Sequence, residues 1–162
     1  MIVKNIDSSN YHEVAKIYEQ GIATGLATFA TNIPTWQSWH SSHLPTCRLA
    51  AYDSYDMVGW AALTGVSSRC VYAGVAEVSV YVAANCRGKG VGTFLLQQLI
   101  SKSEEAGYWT LQSGIFTQNK SSILLHKKCG FRQVGYREKI GSKDGTWLDN
   151  IIMERRSKIV GI

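Results

Sequence analysis

At 45% apolar residues, with 15 glycines and 2 prolines, the 162-residue chain can bury a core within one domain, which excludes collagen-like and disordered classes. Seventeen Lys and Arg against twelve Asp and Glu leave a net charge of +5. That excess suits an anionic ligand but not a nucleic-acid surface, because the densest basic runs, Lys127–Lys128 and Arg155–Arg156–Lys158, carry no interleaved aromatics.

No apolar stretch has the ~20 residues that cross a bilayer, and the first residues lack the plan of a signal peptide. Cys47, Cys70, Cys86 and Cys129 form no CxxC pair and no zinc-like cluster. The expectation is a cytoplasmic protein with reduced thiols and with no metal, membrane or nucleic-acid partner.

In chain order, Ile2 to Ile6 reads as a short strand. Asp7 or Ser9 can cap a following helix whose inner face is Val14, Ile17, Tyr18, Gly21 and Ile22. A shorter helix starts near Pro34 and carries Trp36, Trp39, His40 and His43. The two histidines lack acidic or thiol partners and read as helix surface. Arg48 to Tyr52, a turn at Asp53–Asp56, and Met57 to Thr64 form an antiparallel hairpin.

Glu77 to Ala83 alternates with period two, Val78, Val80 and Val82 on one face and Glu77, Ser79 and Tyr81 on the other. A glycine-rich turn leads into a helix from about Val91 to Ala106, with stripe Val91, Phe94, Leu95, Gln98 and Leu99 and with Gly107 as its left-handed end. Trp109 to Phe116 returns as a strand. Asn119 opens a helix bearing Ile123, Leu124 and Lys127 that closes on Gly130–Phe131. Gln133 to Lys139 and Thr146 to Arg155, joined through Asp144–Gly145, make a final strand pair, with a frayed tail after about residue 156. The order βααβββαβαββ predicts one α/β domain over residues 1–162: a central mixed sheet flanked by helices, with a βαβ crossover at its middle.

Residues 87 to 92 read Arg-Gly-Lys-Gly-Val-Gly, after a strand and at the mouth of a helix. Glycines there let backbone N–H groups approach an anion, and the helix N-terminus adds about half a positive charge. Arg87 and Lys89 strengthen the attraction. The alternation of Gly88, Gly90 and Gly92 fits neither the dinucleotide pattern nor the nucleotide-triphosphate loop.

The spacing Arg87-x-x-Gly90-x-Gly92 instead resembles the acyl-CoA pyrophosphate loop of the GNAT superfamily of N-acetyltransferases. Asn119, Ser122 and the Gly130–Phe131 ending are similar to the second motif of that superfamily. More narrowly, Ala27-Thr28-Phe29, Val58 to Ala61, Glu77 to Val82, Ser122 to His126 and Gly145 to Asp149 resemble the phosphinothricin N-acetyltransferase group. The resemblance implies acetyl transfer from acetyl-CoA to the primary amine of a small amino-acid-like acceptor, of the phosphinothricin, methionine sulfone or methionine sulfoximine type, by a homodimer. It implies CoA contacts at Val80, Val82, Arg87, Gly88, Lys89, Gly90, Val91, Gly92, Asn119 and Ser122. One departure is Ala30, where relatives often carry an acidic residue after Thr28-Phe29, so the acceptor side of the pocket differs.

Acetyl transfer needs a base for the ammonium, N–H groups for the oxyanion, and an acid for the leaving thiolate. Glu77, on a strand that ends beside the glycine turn, suits the base, directly or through a water. His126, where many superfamily members carry a tyrosine, is a second catalytic candidate, as acid or base. Tyr81 and Tyr108 are weaker acid candidates, and backbone at Val80 and Val82 is expected to bond the oxyanion and the pantetheine. Cys86 adjoins the turn without an evident base and is not read as a nucleophile. Trp36, Trp39, Trp60 and Trp147 suit a core before a pocket wall, and Trp60 is carried forward with Phe29, Arg69 and Tyr72 as acceptor contacts. The alternatives are acetylation of a protein amine or a polyamine, or a CoA-binding module without turnover.

Overall fold

The computed structural model describes residues Met1 to Ile162. In chain order the elements are β1 (Ile2–Asn5), α1 (Tyr11–Ala23), α2 (Trp36–Ser42), β2 (Leu49–Asp53), β3 (Asp56–Gly65), β4 (Val75–Val82), α3 (Val91–Glu105), β5 (Thr110–Phe116), α4 (Lys120–Lys128), β6 (Arg132–Lys143) and β7 (Thr146–Arg156). The succession is the expected βααβββαβαββ. No helix is long and apolar enough to cross a membrane.

The seven strands form one sheet in the order β1-β2-β3-β4-β5-β7-β6. Only β4 and β5 run parallel, as the βαβ crossover through α3 requires. Alternation along the strands sends side chains into two cores. On one face Leu63, Val78, Leu111, Ile115 and Met153 pack under Leu95, Leu96 and Leu99 of α3 and Ile123 of α4. On the other, Ala50, Trp60 and Ala62 pack under Tyr11, Val14 and Ile17 of α1 and Trp39 of α2.

The feature that makes a site is the short contact between β4 and β5. They pair only from Val75–Thr110 to Glu77–Gln112. Beyond that point β4 stays on β3 through Val82, while β5 stays on β7 through Phe116, so the sheet splits into a V. The bond from Ala83 N–H to Val58 O (2.9 Å) fixes the phase of the β3–β4 ladder. Ala83, Tyr81 and Ser79 direct their backbone groups toward β3, and Val78, Val80 and Val82 direct theirs into the gap.

Local expectations fail in a few places. Asp7 accepts from the N–H of Ser9 (2.8 Å) rather than capping α1, which begins only at Tyr11. Leu124 is exposed, and the inner face of α4 is Ile123 and His126. The end of α4 forms as expected: Gly130 has φ +88°, and Phe131 N–H reaches His126 O at 3.0 Å. After β7 the Arg156 guanidinium donates to the carbonyls of Trp109, Val160 and Gly161.

Candidate active site

The V opens into a cleft of about 850 Å³ lined by β4 from Glu77 to Val82, by β5 from Ser113 to Phe116, by the turn before α3, by α4, and by the segment from Thr24 to Phe29. Glu77 belongs to the α1 face of the sheet and His126 to the α4 face, and the gap between β4 and β5 lets both reach one cavity.

Gly88 (φ +73°) and Gly90 (φ +85°) are left-handed, and Gly90 leads into α3 with Phe94 N–H bonding to its carbonyl (3.0 Å). A Cβ on Gly92 would stand 3.1 Å from Leu125 and 3.6 Å from Val82, so glycine is what lets α3 lie this close to α4 and β4. The N–H groups of the first turn of α3 have no helical partner and sit at the cleft wall, a ready site for a phosphate. Gly88, Gly90, Val91 and Gly92 line the cleft, whereas Lys89 is exposed and outside it. Arg87 lines the cleft, but its guanidinium donates to Gln20 O (3.2 Å) and Val82 O (3.4 Å), stapling α1 to the end of β4. Lys128, which the sequence presents only as part of a basic run, adds a cation to the cleft wall.

His126 is buried, and burial pushes its pKa below the usual imidazole value. Its Nδ1 lies 2.7 Å from Ser122 O, which makes Nδ1 the protonated nitrogen; Nε2 is buried and without a partner. The ring is therefore neutral near pH 7, with an open lone pair. Glu77 is half-buried and accepts from Gln112 Nε2 at 3.1 Å. Tyr81 also lines the cleft, and burial raises its phenol well above the usual range, so it stays protonated. Tyr108 lies outside.

Two assigned CoA contacts have structural work already. Asn119 Oδ1 accepts from Ser122 N–H (3.3 Å) at the start of α4, while its Nδ2 donates to Leu26 O (3.2 Å). Ser122 supplies the carbonyl that orients His126.

Of the proposed acceptor contacts, only Phe29 lines the cleft, its ring against Phe116 with centroids 4.6 Å apart. Trp60 is 1% exposed, stacked on Tyr81 at 4.8 Å in the α1-side core. Arg69 and Tyr72 pair with each other, the guanidinium 5.3 Å from the ring, on an exposed turn outside the cleft. His43 is not surface either: its ring stacks on Trp39 at 4.1 Å, and Arg48 bonds to His40 Nδ1 (2.7 Å) and to the carbonyls of His40 and His43.

The structure adds Gly114, Arg137 and Asn150, which line the cleft from β5, β6 and β7. Arg137 has no carboxylate partner. The available signal was a single asparagine followed directly by Ile151, Ile152 and Met153.

Comparison with known proteins agrees with this geometry. The acetyltransferase (GNAT) family model matches residues 13–131. The phosphinothricin N-acetyltransferase of Alcaligenes faecalis is 30% identical over 94% of this chain and 81% of its own length. An L-methionine sulfoximine/L-methionine sulfone acetyltransferase of Salmonella typhimurium is 28% identical over 95% of this chain and 93% of its own. The structure of yncA from Salmonella typhimurium with its cofactor acetyl-CoA superposes with a TM-score of 0.89 at 26% identity, covering 96% of this chain and 93% of that one. The backbone groups turned into the V and the left-handed glycine turn fit such a ligand. The chain belongs to the GNAT family of acetyltransferases.

Proposed function

We propose that this enzyme acetylates the primary amine of a small amino-acid-like acceptor. The observation that carries the reading is a strap across one side of the cleft. Residues 24–29 form a strap latched at both ends, Asn119 Nδ2 to Leu26 O (3.2 Å) and Lys143 Nζ to Thr28 O (2.9 Å), with Phe29 packed on Phe116. A strapped cavity suits a small molecule, whereas a peptide needs an open groove. The unpaired charge of Arg137 on its wall suits an acceptor that carries a carboxylate.

Acetyl-CoA supplies an activated acetyl thioester. The α3 turn from Gly88 to Gly92 holds its pyrophosphate by backbone N–H groups, and Val80 and Val82 on β4 offer backbone hydrogen bonds to the pantetheine and to the developing oxyanion. Glu77 takes the ammonium proton, directly or through a water, so that the free amine can attack. His126 Nε2 is a second proton acceptor in the same cavity; having taken a proton, it can return it to the thiolate.

Competition among phosphinothricin, methionine sulfone, methionine sulfoximine and lysine-bearing peptides, all at equal concentration with acetyl-CoA, tests the reading. The amino-acid analogues should dominate product. A preference for peptides overturns it.

A homodimer is also proposed. The β6–β7 hairpin at the sheet edge exposes Val134, Tyr136, Ile140 and Trp147, an apolar surface that a soluble monomer does not usually leave open. Sedimentation velocity should give twice the chain mass, and a monomer at micromolar concentration removes the proposal.

A further inference from the structure

We infer that Asn150 reads a hydrogen-bond donor on the side chain of the acceptor. It thereby favours acceptors whose side chain carries an N–H or O–H over isosteres that offer only oxygen acceptors. The inference rests on the amino-acid reading of the acceptor given above.

Asn150 stands in β7, paired with Phe116 of β5 and Arg137 of β6. Its neighbours Ile151 and Met153 turn to the α3-side core, so Asn150 belongs to the opposite face, the one that carries Gln112 and Glu77. It is 9% exposed and lines the cleft, and its Oδ1 is buried with no hydrogen-bond partner.

A buried carboxamide oxygen left unpaired is costly, and it can be satisfied only by a donor. No donor of the chain takes the role: Arg137, its register partner, makes no bond to it. The other orphaned polar atoms are accounted for elsewhere. Trp39 Nε1 and Trp60 Nε1 lie in the aromatic core, and His126 Nε2 is the proton acceptor discussed above.

Gly114 leaves room beside the Asn150 carboxamide. A Cβ there would stand 3.2 Å from Asn150 Nδ2, so any side chain would crowd the carboxamide and fill the space before it. Gly114 lies on β5 beyond Gln112, the last residue to pair with β4, so this space adjoins the gap that Glu77 overlooks. With the acceptor amine at Glu77, an extended amino-acid side chain can point along the V toward Asn150.

Methionine sulfoximine and methionine sulfone test this directly. They have nearly the same shape, but only the sulfoximine carries an N–H. The wild-type enzyme should show a kcat/KM for the sulfoximine about 10–100-fold above that for the sulfone. In Asn150→Leu, which keeps the volume and removes the oxygen, the ratio should fall toward one. Asn150→Asp retains an acceptor oxygen and should keep the preference, which preserves the test if the leucine variant folds poorly.

Acetylation of both compounds at equal kcat/KM by the wild type, or a ratio that Asn150→Leu does not move, overturns the inference and leaves the amino-acid reading standing. Turnover of neither compound overturns the inference, with the amino-acid reading standing if phosphinothricin is acetylated in the same assay and falling with it if lysine-bearing peptides are acetylated instead.

Discussion

Replacing Glu77 by glutamine is expected to slow the chemical step by about 10²–10⁴-fold at neutral pH while leaving acetyl-CoA affinity unchanged. The carboxylate accepts one hydrogen bond, from Gln112 Nε2 at 3.1 Å, which the amide oxygen of the replacement can also accept, so the local structure is kept. What is lost is the ability to take a proton. The deficit should shrink as pH rises, because more of the acceptor amine then arrives already deprotonated. Steady-state rates of wild type and variant from about pH 6 to pH 10, with acetyl-CoA affinity measured by calorimetry, check both halves of the expectation. Near wild-type turnover at neutral pH would remove Glu77 from the mechanism and leave His126 as the base.

His126→Ala should reduce kcat/KM by about 10²-fold or more and abolish a specific part of the pH profile. With Nδ1–H fixed on Ser122 O at 2.7 Å, Nε2 carries the lone pair, so the resting ring accepts a proton and donates only after it has taken one. Burial lowers the pKa of this ring from 6.5, so Nε2 stays unprotonated to lower pH than a free imidazole would. The acid limb of wild-type kcat/KM should therefore fall below pH 6.5, and the variant should lack it. An acid limb that persists unmoved in the variant belongs to another group.

The same burial has a stability consequence. Between its lowered folded value and 6.5, the unfolded ring binds more protons than the folded one, so folding stability is lost as pH falls through that window. Half-buried His43, also lowered by burial, adds to the loss. Denaturant titrations across this window should give a smaller decline for His126→Ala than for wild type, even though the variant starts from a lower stability because of the cavity it creates.

Much of the enzyme was legible residue by residue because it depends on local rules. The alternation from Glu77 to Val82, the left-handed helix ends at Gly107 and Gly130, and the cap at Asn119 follow from backbone sterics and short-range hydrogen bonds, and all of them formed as read. Those rules were enough for the element order, and the glycine turn and the two candidates Glu77 and His126 all line the cleft. They fell short where a residue's role depends on what the fold brings beside it. Trp60 matched a motif yet is sealed under α1, and Arg69 and Tyr72 found each other rather than the cavity. Asn119 and Arg87 spend hydrogen bonds on holding the strap and α1 in place.

Tertiary structure also decided the site itself. The V exists because β4 keeps its ladder with β3 while β5 keeps its ladder with β7, and the two ladders can be satisfied together only if the parallel pair ends at Glu77 and Gln112. That competition is between strands distant in the chain. Local periodicity therefore carries no record of it, nor of Asn150 and Arg137, which pairing across β5, β7 and β6 brings to the same cavity.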